Sequence, residues 1–223
     1  MTKDESKGAS DILLRQIRAI IFDLDVTLIR SAVDFGKLKR ETIDLLVGEG
    51  LPVEKFSVEM KSYHILSLAS ELCRQKELSG DEIALIRRKV EAIWNRVELE
   101  SVRDASLFEG AKDILLWLRK RGIKIGIVTR GCRAYAINAL TVTGLLEMVD
   151  IVVGRDDTVQ PKPHPEPLMR AMSMLGFVAE EVLMVGDSVD DEQCARGAGV
   201  HFLRVMSATL TEKAVGSLEW GSA

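Results

Sequence analysis

Cysteine is scarce in this 223-residue chain: Cys73, Cys132 and Cys194 are odd in number, far apart, and form no CxxC pair. That spacing excludes a disulfide framework and a structural zinc site, and it suits a reducing compartment. An excess of positive charge is also missing. The formal net charge is −4, which leaves no electrostatic footprint for nucleic acid or an anionic membrane, although a local basic pocket for a phosphorylated metabolite is compatible with it. No apolar run reaches the ~18 residues that a spanning helix requires, and the stretch 1–10 is polar and carries charges of both signs. These absences point to a cytoplasmic protein whose partner is a small molecule, as a monomer or homodimer, with a frayed tail over residues 1–10 and another at the C-terminal end. What is present is 47% hydrophobic residues, enough to bury the core of one ordinary domain, or a core with a smaller insertion.

From about residue 105 the patterns alternate. Ala111 to Arg121 carries a helical stripe of Ile114, Leu115, Trp117 and Leu118, with Gly122 as its stop. Strand patterns at 123–128, 151–153, 182–185 and 201–205 then alternate with helical patterns at 134–143, 166–175 and 191–198. Together with the apolar run Ala19-Ile20-Ile21-Phe22, this order predicts a doubly wound, mostly parallel, Rossmann-like α/β sheet. Residues 32–103 break the alternation, with helix formers over 37–47, 53–73 and 81–98 and no convincing β run. They are expected to form a helical cap, hung as a lid above the strand ends, while 1–31 and 104–223 form the core.

Polar residues cluster just past the strand patterns: Asp23 and Asp25 after the first, Thr129-Arg130-Gly131 after 123–128, Lys162 in the loop after 151–153, and Gly186-Asp187-Ser188 after 182–185. In a parallel sheet these ends share one rim, where such folds bind their ligands. Clustered carboxylates need a cation, and hard oxygen ligands suit Mg²⁺. Asp187 and Asp191, four apart, are expected on one side of the helix that opens there. A lysine, a threonine hydroxyl and loop amides match a phosphoryl group, and an aspartate nucleophile can carry it as an aspartyl-phosphate.

Asp23-Leu24-Asp25-Val26-Thr27, Val128-Thr129-Arg130, Lys162-Pro163 and Gly186-Asp187-Ser188-Val189-Asp190-Asp191 resemble, in order, the four motifs of the haloacid dehalogenase-like hydrolases. The run to Ala198-Gly199 is similar to their phosphoglycolate phosphatase and β-phosphoglucomutase-like branch. The resemblance implies a Mg²⁺-dependent phosphatase acting on a small phosphate monoester. In it Asp23 is the nucleophile and Asp25 the general acid and base. Thr129, Arg130 and Lys162 face the phosphoryl oxygens. Asp23, Asp187 and the backbone carbonyl of Asp25 hold Mg²⁺, with Asp191, Thr27 and Ser188 in support. Taken singly, Thr129 reads as a helix cap, Arg130 as solvated surface and Asp190 as an exposed neighbour. The family's first motif usually carries Gly where Val26 stands, and a β-branched residue there is expected in an ordinary backbone region, narrowing the site. A phosphomutase uses the same Asp pair. A phospho-accepting receiver lacks the cap, and a non-catalytic binding protein has no need of so complete a set. The cap of the resemblance carries substrate contacts, but residues 32–103 match no substrate signature.

Overall fold

The computed structural model describes residues 16–205; the tails expected at both ends lie outside the described residues. The chain divides into two compact units, one taking in the chain up to Ser31 and again from Arg103, the other Ala32–Val102.

The first unit is built on five parallel strands in the order β5-β4-β1-β6-β7, namely β5 (Ile151–Val153), β4 (Lys124–Val128), β1 (Ala19–Phe22), β6 (Val182–Gly186) and β7 (His201–Arg204). β1 is the centre strand, all four of its residues fully buried, so its sequence has no polar face to alternate. Ile21 packs with Leu168 and Ala171 of α6 (Glu166–Leu175) and with Cys194 and Ala195 of α7 (Val189–Ala198). The alternate residues Ile20 and Phe22 point to the opposite face and are equally buried. On that side lie the buried Ile114, Leu115 and Leu118 of α4 (Ala111–Lys120), which packs on β4, and Tyr135, Ala136, Ala139 and Leu140 of α5 (Arg133–Val142). Helices on both faces give the doubly wound class expected from the alternation. Strand order reverses beside β1: the chain adds β4 and β5 on one side, then β6 and β7 on the other. That reversal opens a crevice at the carboxyl end of the centre strand.

Two short strands were not anticipated, β2 (Ile29–Arg30) and β3 (Ser106–Leu107), which pair antiparallel. Each has only two residues, too few for a periodic signal. They join the chain where it leaves this unit to where it returns.

The second unit contains α1 (Phe35–Gly48), α2 (Ser62–Gln75) and α3 (Gly80–Glu100). The helical pattern at 53–73 is not continuous: Val53–Lys55 is one 3-10 turn, and the backbone is extended at Phe56 and again at Lys61, the residue that precedes α2. Helix-forming composition cannot supply a start, and α2 begins with no side-chain cap, whereas Asp34 caps α1 and a Ser79–Glu82 capping box opens α3. Leu38, Leu46, Ile65, Ala69, Val90 and Trp94 form its core. The Trp94 indole N–H donates to Thr42 Oγ1 at 2.8 Å, which donates in turn to the Leu38 carbonyl at 2.7 Å, so the polar atoms inside this small core are satisfied. Among the described residues, no helix is long and apolar enough to cross a membrane, and the three cysteines are free and buried.

Candidate active site

The first residue past each of two adjacent strands is still clamped by the sheet. Asp23 N–H donates to the Val185 carbonyl at 2.9 Å, and Thr129 N–H to the Val153 carbonyl at 3.0 Å. Their side chains are therefore placed by β1 and β4 rather than by loops. Lys162 reaches the same point from the loop after β5. That loop is tied by Glu166, whose carboxylate accepts from the Val159 and Gln160 N–H groups at 2.9 and 3.0 Å.

Lys162 is 1% exposed, and all three of its ammonium protons are used. Nζ donates to Asp23 Oδ1 at 2.6 Å, to Asp191 Oδ1 at 2.6 Å and to the Val128 carbonyl at 2.9 Å. Burial by itself would pull its pKa down, but the Asp23 and Asp191 carboxylates hold it above the ordinary lysine range. Asp23 shows the opposite balance. Burial pushes it up from 3.8 to about 7 against the pull of Lys162, with Asp191 and Asp25 adding to the rise.

Asp191 is spoken for on both oxygens, since Oδ2 accepts from Ser188 N–H at 3.0 Å and Ser188 Oγ at 2.6 Å. These bonds and Lys162 outweigh its burial and keep its pKa low. Ser188 is the cap of α7, and Asp191 completes the capping box as the third helical residue. Gly186 makes this approach possible: a Cβ there would lie 2.6 Å from the Asp191 carboxyl carbon. Asp187 precedes the cap, so Asp187 and Asp191 do not share a helix face as their spacing suggested. A loop turn brings them together instead. Thr27 is 1% exposed, and its hydroxyl lies 3.3 Å from Asp23 Oδ2 and 3.5 Å from Asp187 Oδ1. Burial and Asp191 raise the pKa of Asp187.

Oxygens of Asp23, Asp187 and Asp191 all lie within 4.8 Å of one another. Because Asp191 is engaged by Lys162 and Ser188, Asp23 and Asp187 are the pair whose negative charge is under-compensated. Burial is the main cause of both raised pKa values, with the neighbouring carboxylates adding to it, and two hard oxygen donors at this separation fit a divalent cation such as Mg²⁺.

A family model described as haloacid dehalogenase-like hydrolase matches residues 20–205, which covers every element of this site. The chain belongs to that family. It is 29% identical to the phosphoglycolate phosphatase of Nitrosococcus oceani, over 83% of this chain and 82% of the relative. It is 32% identical to the phosphoglycolate phosphatase of Yersinia pseudotuberculosis, over 84% and 80% respectively. The crystal structure of a hydrolase from Pseudomonas syringae shares the fold with a TM-score of 0.61 at 22% identity, covering 91% of both chains.

Within this haloacid dehalogenase-like hydrolase, Asp25 is bonded by a residue outside the Lys162 cluster. Its Oδ1 accepts from the Tyr135 hydroxyl at 2.5 Å. Arg130 pairs with Asp190 at 2.5 Å, so Asp190 is partly buried and ion-paired instead of an exposed neighbour. The Thr129 hydroxyl accepts from Gly131 N–H at 3.1 Å. Two residues of the site were not anticipated. Arg155, 7% exposed, donates to the Arg130 carbonyl at 2.7 Å and bonds through its own N–H to the Gly131 carbonyl at 2.9 Å, tying down the loop after β4. Tyr135 is the other. Its signal was its place in the first turn of a helix that starts beside the Thr129 loop, which only a known fold makes readable.

Val26 corrects an expectation. Its φ is +66°, in the left-handed region, and not in the ordinary region expected for a β-branched residue. The turn requires it: Leu28 N–H bonds to the Leu24 carbonyl and Val26 N–H to the Ile29 carbonyl, each at 2.9 Å, so the chain reverses within a few residues of Asp25. Since the side chain is 44% exposed, the cost is backbone strain and not crowding, about 1–2 kcal/mol for a residue with a Cβ. Val26→Gly is expected to be more stable than Val26→Ala by about 1 kcal/mol in chemical denaturation. Equal stabilities would show that the turn carries no such strain.

Proposed function

We propose that this chain is a Mg²⁺-dependent phosphatase that hydrolyses a small phosphate monoester through an aspartyl-phosphate on Asp23. The observation that carries the reading is the buried Lys162 ammonium, held at 2.6 Å between Asp23 and Asp191 beside the under-compensated Asp187. A nucleophilic carboxylate must meet a dianionic phosphoryl group without being driven off by its charge, and a fixed cation at this point reduces that repulsion.

Asp23 attacks phosphorus, the ester P–O bond breaks, and the proton of the Asp25 carboxylic acid passes to the leaving alkoxide. Asp25, now ionised, takes a proton from water as that oxygen attacks the phosphoryl group, which releases phosphate and restores the Asp23 carboxylate. Lys162 holds Asp23 in place through both displacements, and Thr129 with its loop amides takes the phosphoryl oxygens. Asp23, Asp187 and the Asp25 carbonyl would hold Mg²⁺, which would supply neutralisation of the converging negative charges. Arg130, turned to Asp190, is a weaker candidate for phosphate contact. The Ala32–Val102 unit is the candidate cap, and substrate choice is assigned to it.

The names carried by the relatives make 2-phosphoglycolate the first substrate to assay, within a panel of phosphorylated metabolites. Inorganic phosphate is expected to appear with Mg²⁺ and to cease when the metal is chelated. No phosphate from any monoester would overturn the reading. A sugar phosphate returned as its isomer would replace it with a phosphomutase.

A further inference from the structure

Tyr135 is 1% exposed, and a buried phenol needs a partner for its proton. Its partner is Asp25 Oδ1 at 2.5 Å, and Ser31 Oγ lies 3.1 Å from the same phenol oxygen. The arrangement is built from several sides. Cys132 caps α5, its sulfur accepting from Tyr135 N–H at 3.4 Å, so the ring is fixed by the helix start. Gly131 makes room for it, since a Cβ there would sit 2.6 Å from the ring carbon Cδ1. Ser31 follows β2 directly, and the backbone bridge between Asp25 and Ile29 holds the carboxylate's own segment against that strand.

We infer that Tyr135 is a positioning residue for Asp25, fixing the plane of its carboxyl group and directing its transferable proton to the oxygen away from the phenol. The inference rests on the reading of Asp25 as the proton donor. A phenol has one proton. It goes to the carboxylate, the stronger acceptor, and the phenol oxygen is left to accept from Ser31. With Oδ1 accepting from Tyr135, the proton that Asp25 carries sits on its other oxygen, in the geometry that transfer to a leaving alkoxide demands. Loss of this bond leaves the carboxyl group less constrained, so it spends less time aligned.

Tyr135→Phe keeps the ring and removes the hydroxyl. kcat/KM, which reports the steps up to formation of the phosphoenzyme, is to be measured for an alkyl phosphate and for p-nitrophenyl phosphate, whose leaving group needs no proton. The alkyl ester is expected to lose about tenfold and the aryl ester less than about twofold. Ser31→Ala, which acts on the same phenol from outside the helix, is expected to skew in the same direction to a smaller degree, and it carries the test if Tyr135→Phe does not fold. Equal losses on both esters, or none, would overturn the proposal, because a merely structural tyrosine lowers both alike. Asp25→Asn is run alongside. If it shows the skew and Tyr135→Phe does not, the proposal alone fails; if Asp25→Asn is itself indifferent to the leaving group, the reading of Asp25 fails and takes the proposal with it.

Discussion

Asp23→Asn is expected to stop turnover while leaving the fold in place. The amide keeps the shape of the carboxylate and still offers an oxygen to Lys162 Nζ, so the 2.6 Å contact has a natural replacement. It lacks the nucleophilic charge, and loss of a nucleophile of this kind costs at least about four orders of magnitude in rate. Phosphate release and the melting temperature of the same preparation separate the two effects. Turnover within about tenfold of the parent, in a folded variant, would remove Asp23 as the attacking group.

Lys162→Met is expected to cost both activity and stability. Removing one partner of a buried ionic cluster leaves the others without compensation, an effect of about 3–5 kcal/mol. Here the residues left behind are Asp23 and Asp191, the latter 1% exposed. The sign with pH follows from Asp23, which without a bound cation is held at about 7 against its ordinary 3.8. A raised pKa means that the folded state keeps a proton the unfolded chain has lost. The stability from this group is therefore fully present below 3.8 and is lost as pH rises through about 7. In the Lys162→Met protein nothing opposes the rise, so denaturation in metal-free buffer is expected to show a larger loss at alkaline pH than at acid pH. A loss independent of pH would mean that the lysine acts through packing alone.

The sheet was legible because its signals are local. Ala19 to Phe22 is apolar on both faces, as a centre strand must be, and the helices at 111–120 and 166–175 have full apolar stripes. The polar residues at the strand ends followed from the same pattern, since a parallel sheet sends its carboxyl ends to one side. What was not legible depends on geometry that residue types do not encode. Val26 looks like an ordinary strand-forming residue and takes a positive φ only because the turn after Asp25 closes on Ile29. Asp187 and Asp191 meet through a capping turn, not through helical spacing. Tyr135 has no motif of its own; its hydroxyl matters because α5 begins beside the loop after β4. The pattern at 53–73 misled because helix propensity is summed over residues, whereas the break at Phe56 to Lys61 is a matter of backbone entry and exit.

The centre strand also sets the order in which this molecule can be completed. β1 is near the start of the chain, yet its neighbours begin at Lys124 and Val182, both more than a hundred residues later. As the polypeptide leaves the ribosome, one edge of β1 has no partner until β4 is made and the other none until β6 is made. Ala32–Val102, whose core contacts are close in sequence, can close long before that. Asp23 is released by synthesis early, Lys162 follows and Asp187 comes later still, so a chain stalled before Val182 has its nucleophile and its lysine but not Asp187, and the edge of β1 that β6 will cover is still open to pairing elsewhere.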